Sequence, residues 1–135
     1  MKYVLFIMLL IIGCSVNQSE QVSLNGSCDR FLEDKHLTWN VHLQPGDSLL
    51  VTLCSNATTG FQWSESAQIK DQSILEQMSH TFTPPEKSIT GAAGKEEWTL
   101  NTHKKGSSIV VWEYNRPWAG GEKGEWSVTA TVIVD

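Results

Sequence analysis

The stretch HLTWNVHLQPGDSLLVTLC, residues 36–54, alternates apolar and polar side chains on both sides of a Pro-Gly-Asp turn. Leu37, Trp39, Val41 and Leu43 fall on one face and Thr38, Asn40 and His42 on the other. That is the period of a half-buried β-strand and not of a helix. Pro45-Gly46-Asp47 turns the chain. Leu49, Val51 and Leu53 then form the inner face of a second strand, which leaves Cys54 on its outer face.

The same period continues downstream. A short third strand is expected at Phe61–Ser66. In Ile74–Thr83 the residues Ile74, Leu75 and Met78 would suit a helical turn, but His80-Thr81-Phe82-Thr83 favours a strand. Lys95–His103 sets Trp98 and Leu100 on one face, and Ile109–Tyr114 sets Val110, Trp112 and Tyr114 in phase. Glu125–Val134 closes the series, with Trp126, Val128, Ala130, Val132 and Val134 alternating with Ser127, Thr129 and Thr131. Turns every eight to twelve residues over about 100 residues predict an all-β fold, a seven-stranded antiparallel immunoglobulin-like sandwich.

Composition agrees with a single packed domain. The chain has 135 residues, 40% of them hydrophobic and 19% charged, which excludes wholesale disorder. A formal charge of −5 gives no general attraction to polyphosphate, so nucleic acid is not an expected partner. Six Trp in so short a chain is more than one small core needs, so at least one is expected at a surface.

The first residues, MKYVLFIMLLIIGC, read as an export signal. The apolar run Val4–Ile12 would rise only about 14 Å as a helix, too little to span a bilayer. Its end, Ile11-Ile12-Gly13-Cys14, resembles a bacterial lipobox, in which Cys14 would be acylated; the alternative is ordinary secretion. Residues 1–13 are thus expected as a lipoprotein signal peptide, 14–27 as a polar tether, and 28–135 as the folded domain. The tether reading rests on SVNQSEQVSLNG, residues 15–26, where no period is apparent. The implied location is the bacterial cell envelope, with the domain anchored to a membrane through Cys14 and facing the periplasm or the outside.

Cys28 and Cys54 remain. In an exported chain they are expected to be bridged rather than left as two thiols, and such a loop contributes about 3 kcal/mol through the unfolded state. Their spacing suggests no zinc site, and no metal or cofactor is expected. No GxSxG, HExxH, GxGxxG or P-loop sequence occurs, and His36, His42, His80 and His103 are scattered, so an enzyme is not expected.

If each strand reverses the last, the connections alternate between the two ends of the sandwich. One end then collects Ser55–Gly60, Pro84–Gly94 and Asn115–Gly124. These segments hold the unusual composition: Asn56-Ala57-Thr58-Thr59-Gly60, Gly91-Ala92-Ala93-Gly94, and Arg116-Pro117-Trp118 beside Gly120-Gly121. Loops on a rigid scaffold are where binding is usually built, and Trp and Arg are common anchors of interfaces.

NATTGF at 56–61, GAAG at 91–94 and RPW at 116–118, in that order, resemble the chagasin family of cysteine-peptidase inhibitors over roughly residues 36–135. Asn56, Thr58, Thr59, Gly60 and Phe61 match that family's first loop, with Ala57 where its pattern has Pro. Gly91 and Gly94 match the second, with Ala93 in place of a Gly, and Arg116, Pro117 and Trp118 match the third in full.

The resemblance implies a monomeric, reversible inhibitor of papain-like peptidases that acts through three loops. The Asn56–Phe61 loop would cover the catalytic Cys, with Thr58 and Thr59 in contact, and 91–94 would lie along the cleft. Trp118 would stack on the peptidase, with Pro117 stiffening its approach and Arg116 meeting a carboxylate or carbonyl. The competing readings are a carbohydrate-binding module and a structural envelope lipoprotein. Trp39, Trp98, Trp112 and Trp126 lie in the apolar phase of their strands, which speaks for core rather than a sugar platform.

Overall fold

The computed structural model describes residues 18–86 and 92–135, so the signal segment, Cys14 and Gly91 lie outside the described residues. The elements are β1 (Gln21–Gly26), α1 (Cys28–Glu33), β2 (His36–Leu43), β3 (Ser48–Ser55), a 3-10 turn (Ala57–Thr59), β4 (Gln62–Trp63) and β5 (Gln68–Ile69). They continue with β6 (Leu75–Thr83), β7 (Gly94–Thr102), β8 (Gly106–Asn115) and β9 (Trp126–Val134). One sheet has the order β1-β3-β7-β6 and the other β2-β9-β8-β4, with β5 also paired to β8.

The sandwich is therefore the expected one with two corrections. β2 and β3 enter opposite sheets, so the Pro45-Gly46-Asp47 turn arches across the core. First, two strand pairs are parallel, β1 with β3 and β2 with β9, where an antiparallel sandwich was expected. Second, the described residues form nine strands instead of seven, because β5 lies past the end of the third expected strand, of which β4 is the paired part, and because β1 lies in the stretch read as tether. In β1, Val22 and Leu24 pack on the core and Gly26 is buried, while the alternate residues face solvent. An edge strand needs no more apolar side chains than that.

The ambiguous stretch is a strand, β6. Its pairing with β7 shifts between Gln77 and Ser79, and this bulge exposes Met78 while Leu75 stays buried. The inward phase otherwise holds. Leu49, Val51, Leu53, Trp98 and Leu100 of one sheet face Val110, Trp112, Val128, Ala130 and Val132 of the other, all of them fully buried. Each fully buried Val or Leu among them contributes about 1.5–3 kcal/mol by leaving water.

The end of the sandwich formed by the β2–β3 turn is locked by one carboxylate. Asp47 accepts the N–H groups of Glu20 and Gln44, both at 2.9 Å. The Thr102 hydroxyl accepts the Gly46 N–H at 2.9 Å and donates to the Asp47 carbonyl at 2.8 Å. Those two backbone N–H groups, Glu20's first, hold the Asp47 carboxyl below its ordinary value of 3.8. A carboxyl lowered in the folded state stabilises the fold above its unfolded pKa, and that contribution is lost as pH falls through the folded value. Melting temperatures between pH 7 and pH 2 should therefore fall less steeply at the acid end for Asp47→Asn than for the parent. Identical acid limbs would contradict this role of Asp47.

Candidate functional site

The three expected loops converge. Ser55 at the end of β3 pairs with Gly94 at the start of β7, and Gln62 of β4 pairs with Asn115 at the end of β8. Residues 56–61, 84–86, 92–93 and 116–125 thus share one end of the sandwich, as strand reversal predicts.

In the first loop, Ala57–Thr59 form a single 3-10 turn closed by Gly60, whose φ is 83°. The Thr59 N–H donates to the Asn56 carbonyl at 3.3 Å and the Gly60 N–H to the Ala57 carbonyl at 3.1 Å. The Thr58 hydroxyl donates to Asn56 Oδ1 at 2.6 Å and the Thr59 hydroxyl to the Asn56 carbonyl at 2.8 Å. Gly60 is required twice, by its left-handed backbone and because a Cβ there would lie 2.8 Å from the Trp118 ring. Ala57 opens the turn, a position that accepts Pro; its absence forfeits about 0.4–1 kcal/mol of restriction on the unfolded chain.

Ala57, Thr58 and Thr59 are exposed, but Phe61 is not. Phe61 is 8% exposed and stacks on Tyr114, so it supports the loop from beneath. In the second loop, Ala92 and Ala93 reach the surface and no described residue other than Gly has positive φ, so Ala93 introduces no backbone conflict. Gly94 is fixed by sterics, since a Cβ would meet the Thr83 carbonyl at 2.4 Å where β6 and β7 converge.

The third loop divides its residues between display and bracing. Pro117 and Trp118 are displayed, Trp118 at 52% exposure. Arg116, expected to meet a partner, is already engaged within the chain. Its Nε and Nη2 donate to the Thr59 carbonyl at 3.3 Å each, and its Nη1 pairs with Glu122 at 3.2 Å. Its guanidinium also lies 4.5 Å from the centre of the Phe61 ring. Arg116 therefore ties the third loop to the first. Lys123 closes the loop by donating to the carbonyls of Arg116 and Trp118.

Sequence reasoning found Tyr114 only as a core residue. Its phenol oxygen accepts the Asn56 N–H at 2.9 Å and donates to the Asn56 carbonyl at 3.2 Å. Burial pushes the phenol above its ordinary value of 10.0, against hydrogen bonds that pull it down, so it stays neutral and keeps its proton for Asn56. The available signal was general: a buried Tyr must satisfy its hydroxyl, and this one ends a strand beside a loop.

Cys28 and Cys54 are bridged, with Cα atoms 5.1 Å apart. Cys54 is on the outer face as expected, but it is 7% exposed because the disulfide brings α1 over it.

The family model of the Chagasin family peptidase inhibitor I42 matches residues 42–132, and the chain belongs to that family. Chagasin of Trypanosoma cruzi is 30% identical over 77 residues, 56% of this chain and 70% of its own. Among solved structures, the cysteine protease inhibitor EhICP2 from Entamoeba histolytica superposes with a TM-score of 0.64 at 20% identity, covering 86% of this chain and 97% of that one. PbICP-C, solved in complex with falcipain-2, gives 0.59 at 16% identity, covering 87% of this chain and all of that one (100%). At these identities the structural likeness is one of fold.

The Tyr114 clamp makes a direct prediction. Tyr114→Phe removes the acceptor of a part-buried N–H and should lower the unfolding free energy by about 1–3 kcal/mol in denaturant titration. It should also raise hydrogen exchange at the Asn56 amide. Unchanged exchange there would show that the phenol does not hold the loop.

Proposed function

We propose that this protein is a reversible inhibitor of papain-like cysteine peptidases, and that it binds through the three convergent loops. One observation carries the reading: an exposed Ala57-Thr58-Thr59 turn stands beside an exposed Trp118 on an end braced by Arg116 and Tyr114. Such peptidases keep a thiolate beside an imidazolium in a cleft between two lobes. The narrow 3-10 turn enters the cleft, and Trp118 packs against the wall next to it.

The hydrogen bonding explains how the loop would block the thiolate without being cut. A peptidase attacks the carbonyl of an extended segment aimed at its nucleophile. Here the Asn56 carbonyl is held by Tyr114 and Thr59, the Ala57 carbonyl by Gly60, and the Thr59 carbonyl by Arg116. The turn is short, closed and internally bonded. Little conformational entropy is lost on docking, and rigid contacts of this kind convert buried area into affinity efficiently. The protein binds, and no chemical step is assigned to its own residues.

Acylation of Cys14 would place the inhibitor on a membrane as a monomer of the cell envelope. Gln21, at the start of β1, pairs with Ser48, at the end of the sandwich away from the loops. An anchor ahead of β1 would therefore attach at the end of the sandwich opposite the loops.

The purified protein should inhibit papain and leave serine peptidases active. Trp118→Ala should weaken that inhibition by ~2 kcal/mol, about thirtyfold, with the melting temperature nearly unchanged. Full papain activity in the presence of excess folded protein would exclude the function, and an unaltered inhibition constant for Trp118→Ala would exclude the anchor.

A further inference from the structure

A fourth connection lies at the loop end. β1 runs parallel to β3 and therefore finishes where β3 does, at the 56–61 loop. β2 runs parallel to β9 and therefore starts where β9 does, at the 116–125 loop. The segment between them, α1, crosses from sheet to sheet beside the loops already described. It lies outside the residues matched by the family model.

The six residues of α1 are too few to persist as a helix alone, yet they are fixed in three ways. Ser27 caps the N-terminus by accepting the Arg30 N–H, Cys28 is tied to Cys54, and Phe31 is fully buried. The neighbouring Leu32 points outward and is 75% exposed, the most exposed of the large hydrophobic residues described. Beside it opens a hollow of about 490 Å³, walled by the disulfide and Trp126 on the α1 side and by Thr59, Ala93 and Arg116 on the loop side. A fixed apolar side chain next to a largely apolar hollow is the composition of an interface anchor.

We propose that α1 is a fourth contact element of the inhibitory surface, with Leu32 and the adjacent hollow receiving apolar side chains from the peptidase lobe that flanks the cleft. This rests on the inhibitory reading above, and the occupant follows from continuity. The hollow shares Thr59, Ala93 and Arg116 with the loops, so a lobe seated on the loops also covers it. The disulfide acquires a second role, holding α1 in the pose that the peptidase meets.

The test compares inhibition constants of the purified parent, Leu32→Asp, Leu32→Ala and Leu32→Met against papain, with melting temperatures measured in parallel. Leu32→Asp should raise the constant about tenfold, mainly through faster dissociation, and Leu32→Met should stay near the parent. The exposed position should leave melting unchanged; if Leu32→Asp melts early, a natively melting Leu32→Ala decides, with a weakening of at least about threefold expected. A parent that inhibits while these variants match it overturns the fourth contact alone. A parent that does not inhibit overturns the inhibitory reading and this inference with it.

Discussion

A column of stacked side chains under the loop end carries the rest of the structure. The Arg116 guanidinium lies over Phe61, Phe61 stacks on Tyr114, Tyr114 on Trp126, and Trp126 on Phe31, with successive ring centres 5.4, 4.8 and 4.8 Å apart. The members come from three parts of the surface above, with Arg116 in the third loop. Phe61 ends the first loop, Tyr114 and Trp126 flank the third, and Phe31 belongs to α1. Aromatic pairs add about 0.5–1.5 kcal/mol each beyond their buried area. Their larger effect is geometric, since neither the first nor the third loop can shift without disturbing a ring that holds the other.

That floor explains why short, polar, Gly-containing segments are held in one conformation. Peptide loops ordinarily lose much freedom when they bind. Here the restriction is already built into the fold, by the Tyr114 clamp on Asn56, the Arg116 bridge to Thr59 and the Lys123 bonds inside the third loop. Arg116, Phe61 and Gly94 are thereby structural members of the site, while Ala57, Thr58, Thr59, Ala93, Pro117 and Trp118 form its displayed part. A motif residue can thus serve the site by bracing its neighbours.

Much of this was legible in the sequence, and the gaps have physical causes. Strict alternation placed β2, β3, β7, β8 and β9, separated buried Trp112 from exposed Trp118, and sent the unusual loops to one end. Strand reversal alone was enough for that last step. β1 was missed because an edge strand needs few apolar residues, and Val22 and Leu24 are too few to show a period. Phe31 was not singled out as core because a helix of six residues has no room for a repeat. The parallel pairings follow from the α1 crossover, which local pattern does not encode. The inward duty of Arg116 and Phe61 could not be read locally either, because each is defined by a partner more than fifty residues away.

If the rigid Asn56–Phe61 turn sits over the peptidase's catalytic thiol and remains intact there, small reagents cannot reach the thiol. The rate at which iodoacetamide alkylates the active-site thiol of papain, with and without one equivalent of this protein, measures that access directly. The complexed thiol should be protected, and the protein should be recovered uncleaved with its mass unchanged. Alkylation at the free-enzyme rate while substrate hydrolysis is blocked would place the protein away from the thiol and rule out an Asn56–Phe61 turn seated over it.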